Sequence, residues 1–285
     1  MLRFRRPDKP EGFDARTRRT RDAVAAKIER GESPVSDDFK DLWRGYKYLF
    51  AAAQHGKCGY CEHDTGVSYR GDVEHYAPKA QIDRLRPLTD REEQRQRNLR
   101  PGEPTPPLPV EHPPFMTRGY YWLAYEWDNY LFACSTCNSI HKRCLFPVQP
   151  ERRRDQLPAP ENAETPFLLN PYEDGLNPGE HLRYNRDGYI FDNDSVRGWE
   201  TIRTCRLNRV ALNEARRERA RQVTQLLDKL DHGAQARNVA AVKETLRDIA
   251  RLGDDGRRFA GMVRIMVERH TGKRWSALMA YCRRQ

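Results

Sequence analysis

No apolar run in the sequence approaches the ~18 residues that a membrane span needs, and no apolar stretch follows the opening Met-Leu-Arg-Phe-Arg-Arg in the manner of a secretion signal. A soluble chain with no membrane partner, sitting in the cytoplasm, is expected. The sequence also lacks a G-x-x-x-x-G-K loop, which excludes a nucleotide-hydrolysing motor of that type, and it shows no repeat of fixed period. Cysteine is scarce and odd in number, at seven. In a reducing compartment, paired cysteines bind metal rather than each other.

What is present is charge. Of 285 residues, 51 are Lys or Arg against 41 Asp or Glu, for a formal net charge of +10. A field of this sign attracts phosphate backbones through counterion release, so a nucleic acid is the expected partner. The length is ample for a hydrophobic core.

Four of the cysteines stand in two knuckles, Cys58-Gly-Tyr-Cys61 and Cys134-Ser-Thr-Cys137. Each C-x-x-C turn puts two thiolates on one side, and two such turns complete a tetrahedron around zinc, with no position left for substrate. The zinc is therefore read as structural. Cys144, Cys205 and Cys282 are left over and read as small core side chains.

The knuckles divide the chain into three segments: 1–54, an arm and helices; 55–148, a zinc-stapled unit; and 149–285, a hairpin followed by helices. Residues 1–14 are basic and predicted extended, and Val24, Ala25 and Ile28 mark a short helix ending near Gly31. The spacing of Phe39, Leu42, Trp43, Tyr46 and Leu49 predicts one helix from Ser36 to about Gln54. A strand is expected around Val67-Ser68-Tyr69, and a second carrying Val73 and presenting Glu74-His75. Residues 82–118 are rich in proline, arginine and glutamate without apolar periodicity, which reads as a looped-out insertion. Asn185-Arg186-Asp187-Gly188 is a hairpin turn, and from Ser195 onward the chain reads helical, with breaks at Gly233 and Gly253. The arginines at 216, 217, 219 and 221 fit a nucleic-acid surface, solvated helix faces or a protein-docking face. The fold class is α+β, mainly helical.

Hydrolysis of a phosphodiester needs a metal to neutralise charge, a base to take a proton from water, and alignment of both. Glu74 and Asn138 offer oxygen donors of the kind Mg²⁺ or Mn²⁺ prefers, and His75 offers an imidazole that is largely neutral at pH 7. Glu74 and His75 lie between the knuckles, and Asn138 directly follows the second.

Cys58-x-x-Cys61, Glu74-His75-x-x-Pro78, Asn129 in Trp-Asp-Asn, and Cys134-x-x-Cys137-Asn138 with Lys142 together resemble the HNH endonucleases, whose active site is a ββα-metal core. The resemblance covers about residues 55–148. It implies that His75 is the general base, that Glu74 and Asn138 hold the catalytic metal, and that Asn129 fixes the loop and orients His75. His141, one helical turn on, is the alternative to Asn138, and Lys79 and Lys142 are candidate phosphate contacts. A narrower set resembles the PtuB-like HNH proteins of Septu and retron-associated anti-phage systems: Glu-His-Tyr-x-Pro-Lys, Tyr-x-Trp-Asp-Asn, Leu168-Leu-Asn-Pro171 and the segment 195–209. That likeness implies a nuclease effector gated by an ATPase partner. The competing function is a zinc-knuckle module that binds or recruits nucleic acid without cutting it.

Overall fold

In the computed structural model, residues 1–65, 71–99, 103, 106, 109, 111, 116–150, 159–161 and 164–283 are described. Residues 1–10 form neither helix nor strand, and helix begins at Phe13, inside the arm expected over 1–14; the arm does not hang free. Leu2 and Phe4 are buried, the Phe4 N–H donates to Pro171 O at 2.7 Å, and Arg6 Nη1 donates to Trp127 O and Tyr130 O at 3.0 and 2.7 Å. Helix α1 (Phe13–Glu29) buries Phe13 edge-on against the rings of Tyr46, Trp127 and Tyr130, and Gly31, at φ 76°, turns the chain away.

The single helix predicted over residues 36–54 is broken. Two 3₁₀ turns, Ser36–Asp38 and Leu42–Tyr46, precede helix α2 (Lys47–Ala53), and Phe39 between the turns is extended. Trp43 and Tyr46 both lie in the second turn and join one aromatic cluster through Tyr130 and Trp127. Trp43 packs on His75 with centroids 4.5 Å apart, whereas Tyr46 packs on Phe13 and Trp127. Beyond α2, the buried Gln54 side chain donates to Lys57 O and Phe132 O and accepts from Phe132 N–H, tying the first knuckle to a distant strand.

The strand expected around Val67 lies outside the described residues. Strand β1 (Gly71–His75) forms as predicted, and β2 (Gln81–Asp83) follows. The stretch 82–118 holds more order than its composition suggests: helix α3 (Asp90–Arg97) starts at a Thr89/Glu92 capping box, and β3 (Met116–Arg118) pairs with β2. None of the α3 residues is buried, so no apolar period betrays it. Strand β4 (Tyr130–Cys134) pairs antiparallel with β1, in a register running from Gly71 opposite Cys134 to His75 opposite Tyr130. It leads straight into a π-helix, Thr136–Lys142. Strand β1, strand β4 and the π-helix thus adjoin in space, although β2, α3 and β3 intervene between the two strands in the chain.

Strands β5 (Val148–Gln149) and β6 (Thr165–Pro166) pair briefly, and a one-turn helix α4 (Pro178–His181) precedes the expected hairpin of β7 (Leu182–Tyr184) and β8 (Ile190–Asp192). Helices α5 (Val196–Thr204), α6 (Val210–Gln235), α7 (Val239–Leu252), α8 (Ala260–Thr271) and α9 (Trp275–Arg283) complete the chain. Gly253 ends α7, but Gly233 lies inside α6. A Cβ there would stand 3.2 Å from the Val242 side chain, so this glycine serves close helix packing rather than a break. Arg216 is not a surface residue: it is 2% exposed, donates to Leu207 O at 2.6 Å and lies over the Tyr184 ring. Cys205 is buried, while Cys144 and Cys282 are half-buried. One buried cluster includes Phe13, Phe50, Tyr130, Leu168, Leu207 and Val263, so the three segments share a core. No helix among the described residues is long and apolar enough to cross a membrane.

Candidate metal centre and adjoining cavity

The four knuckle sulfurs converge from two places in the chain. Cys58 and Cys61 lie in the turn beyond α2, Cys134 ends β4, and Cys137 sits in the π-helix; their ligand atoms all lie within 4.8 Å of one another. Cys61 Sγ is 3.9 Å from Cys134 Sγ. A zinc tetrahedron with Zn–S ~2.3 Å has sulfur–sulfur edges of ~3.8 Å, so the set could hold zinc in a closed site. Cys137 N–H donates to Cys134 Sγ at 3.4 Å, and Arg209 Nη1 lies 3.6 Å from Cys137 Sγ, where its charge offsets that of the thiolates.

The π-helix that carries Cys137 also carries Asn138 to the rim of a cavity of about 380 Å³, lined by Glu74, His75, Lys79, Asn138, Arg44 and Arg143 among others. Larger cavities of about 490 and 800 Å³ contain none of Glu74, His75 or Asn138, so chemistry rather than size singles this one out. The His75 ring stands edge-on to Trp43 and Tyr130, at 4.5 and 5.1 Å between centroids. Its Nε2 is 3.0 Å from Ala124 O. A carbonyl only accepts, so Nε2 carries the proton and Nδ1 keeps its lone pair in the neutral ring. Burial, reinforced by the charges of Lys79 and Lys142, holds the His75 pKa well below the usual imidazole value.

Asn129 works on the same loop. Its Oδ1 accepts from Ala77 N–H at 2.8 Å, and its Nδ2 donates to Ala77 O and Leu123 O, each at 3.0 Å. One buried side chain therefore fixes the backbone on both sides, including the residue next to the Ala124 carbonyl that holds His75. Lys79 lies with its ammonium 4.6 Å from the centre of the Trp43 ring, a cation–π contact at the cavity wall.

Two expectations need correction. Lys142, anticipated at a phosphate, is fully enclosed: its Nζ is 2.5 Å from Glu74 Oε1 and donates to His75 O at 3.1 Å. It is an internal counter-ion, drawn in because a buried carboxylate needs a paired charge. His141 is not among the residues lining the cavity; desolvation, with the charges of Arg209 and Arg206, depresses its pKa to about 4. Of the two candidates for the third position, Asn138 is the one on the cavity. Burial raises the pKa of Glu74, and Lys142 opposes the shift. Glu74 Oε1 is taken up by the Lys142 ammonium. The Glu74 carboxylate and the Asn138 amide line the same cavity, and oxygen donors of this kind suit a hard divalent cation. Arg44, Arg143 and Asp72 also line the cavity and were not singled out from sequence, where isolated charges carry no periodic or spacing signal.

No family profile matches the chain, and no solved structure matches it. Septu protein PtuB of Bacillus mycoides (strain KBAB4) is 34% identical over 191 residues. That similarity takes in 65% of this chain and 55% of the relative, so the chain spans little more than half the length of the curated protein it matches.

Proposed function

We propose that the chain is a zinc-stapled HNH endonuclease, dependent on Mg²⁺ or Mn²⁺, that hydrolyses phosphodiester bonds of DNA or RNA as the effector of an anti-phage defence system gated by an ATPase partner. The observation that carries the reading is the meeting of Glu74, His75, Lys79 and Asn138 around one cavity beside the four-cysteine cluster. The defence role and the partner draw on the similarity to Septu protein PtuB.

Glu74 and Asn138 would hold the divalent ion, which when bound supplies charge neutralisation at the phosphate. His75 stays neutral and accepts the proton of the attacking water at Nδ1, because Nε2 is committed to Ala124 O. Asn129 keeps that carbonyl in place through its bonds to residues 77 and 123. Lys79 offers its ammonium to a phosphate oxygen, and Lys142 keeps the buried Glu74 ionised. The second reading, a zinc-knuckle module that binds without cutting, draws on the Lys142–Glu74 pair, which already satisfies part of the carboxylate's charge.

Plasmid DNA and tRNA incubated with the protein, its ATPase partner and Mg²⁺ or Mn²⁺ separate the two. The native chain is expected to cleave one of them and to stop when chelator is added. His75→Ala should keep zinc and fold yet lose about 100-fold or more of the rate. Cleavage at the native rate by His75→Ala removes His75 from the mechanism. Binding without cleavage by the native chain favours the module.

A further inference from the structure

The residue after Lys142 stands in a backbone conformation that its side chain disfavours. Arg143 has φ 48° and ψ −119°, values of the first central residue of a type II′ turn, a position glycine ordinarily takes because a Cβ there crowds the neighbouring backbone. The turn is closed by hydrogen bonds: Leu145 N–H donates to Lys142 O at 2.8 Å, and Arg143 N–H donates to Asn138 O at 2.7 Å, ending the π-helix. Neither bond uses the Arg143 side chain. Glycine would make the same turn without strain, so the arginine calls for a separate reason. Non-glycine residues in such conformations, and π-turns, concentrate where a side chain must be aimed at a ligand.

The cavity supplies that reason. Arg143 is exposed and lines the same cavity as Glu74, His75, Lys79 and Asn138. Among the described residues its guanidinium makes no hydrogen bond or ion pair, although Asp83 feels its charge. Lys142, the neighbour that the motif suggested for phosphate, is turned inward to Glu74. The position facing solvent at the end of the π-helix is thus held by a planar fork of donors.

We propose that Arg143 is a catalytic phosphate clamp, its guanidinium gripping two non-bridging oxygens of the scissile phosphate beside the candidate metal ligands. The inference rests on the nuclease reading. Two parallel N–H groups match an O–P–O edge, and a fixed positive charge gains most from the negative charge that builds up during in-line attack. The strained turn is the structural cost of aiming the fork, as glycine could not supply one.

The test uses the full chain with its partner, a short DNA duplex and an RNA of the same sequence, scored on whichever probe the native chain cleaves. Arg143→Gly is expected to keep its zinc, to raise Tm by about 2–4 °C as the strain is relieved, and to lower the cleavage rate about 100-fold. Arg143→Lys, which keeps charge without the fork, recovers only part of the rate. In a His75→Ala background, where the probe survives, Arg143→Gly should flatten the slope of log Kd against log salt by about one. Native cleavage and an unchanged salt slope in Arg143→Gly overturn the proposal, and if His75→Ala is inactive in that assay the nuclease reading stands. Asp83→Asn should leave cleavage unchanged; if it reproduces the loss, Arg143 serves Asp83 and the clamp falls. If the native chain cleaves neither probe with metal and partner present, the nuclease reading fails and the clamp with it.

Discussion

Commitment of the His75 Nε2 proton to Ala124 O leaves one nitrogen for chemistry, and the buried setting decides when that nitrogen is free. Burial and two nearby lysines hold the folded pKa well below the ~6.5 of a free imidazole. Between those two values the unfolded chain binds a proton that the folded chain does not. The stability stored at His75 is therefore complete above pH ~6.5 and is lost as pH falls toward the folded value. On the proposed nuclease reading, cleavage should follow the same group. A plot of log kcat/KM against pH is expected to stay level from pH ~8 down through ~6.5 and to bend downward only below it. An acid limb at or above ~6.5 in the measured pH–rate profile would contradict a buried base. Chain spacing identified Glu74, His75, Asn129 and Asn138 for attention, but the inward turn of Lys142 was not legible in it. Lys142 meets His75 O across 67 residues of sequence, and no local pattern records such a contact.

Among the elements, the pairing of β1 with β4 places the candidate acid and imidazole beside the knuckles, and Gly71 sets how closely the two strands approach. A Cβ on Gly71 would stand 2.6 Å from the Phe132 ring and 2.7 Å from Ala133 O, directly across from Cys134. Gly71→Ala should cost about 1–3 kcal/mol through overpacking and weaken zinc retention together with stability. Thermal melting and zinc content of the purified variant check this; a native Tm with full zinc would show that the strands adjust freely. Strand β1, the hairpin of β7 and β8, and the C-terminal helices were legible because their apolar or turn residues recur at short range. Helix α3 was not, since every residue in it is polar, and the break between residues 38 and 42 was not, since the helical spacing of Phe39, Leu42 and Trp43 runs on into the second turn.

For the whole molecule, the four-sulfur cluster ties the turn after α2 to the end of β4, while Gln54 and Arg209 reach into the same region from α2 and the α5–α6 connection. Zinc held there contributes to folding directly, on the scale of ~10–16 kcal/mol measured for zinc-finger peptides. Extraction with a strong chelator is expected to lower Tm and to speed hydrogen exchange at residues 58–61, 71–75 and 130–142 more than in α6 and α7. An unchanged Tm after metal analysis has verified removal would mean that the cluster does not hold the unit together. The net charge of +10 acts at the same scale, favouring a polyanion without choosing the groove it enters.

Metal-ligand spacing, turn residues and hydrophobic period are short-range properties, and from them alone the amino-acid order specified the four-cysteine cluster, the helical C-terminal region and the residues able to carry chemistry. Which of those side chains meets solvent was settled by packing across long stretches of chain. Lys142 and Arg216 went inside to buried partners, His141 turned off the cavity toward Arg206 and Arg209, and Arg143 came out on its lip. A charge reads the same along a polypeptide whether it ends up dry or wet; only the assembled core distinguishes the two, because desolvation depends on every neighbour that arrives.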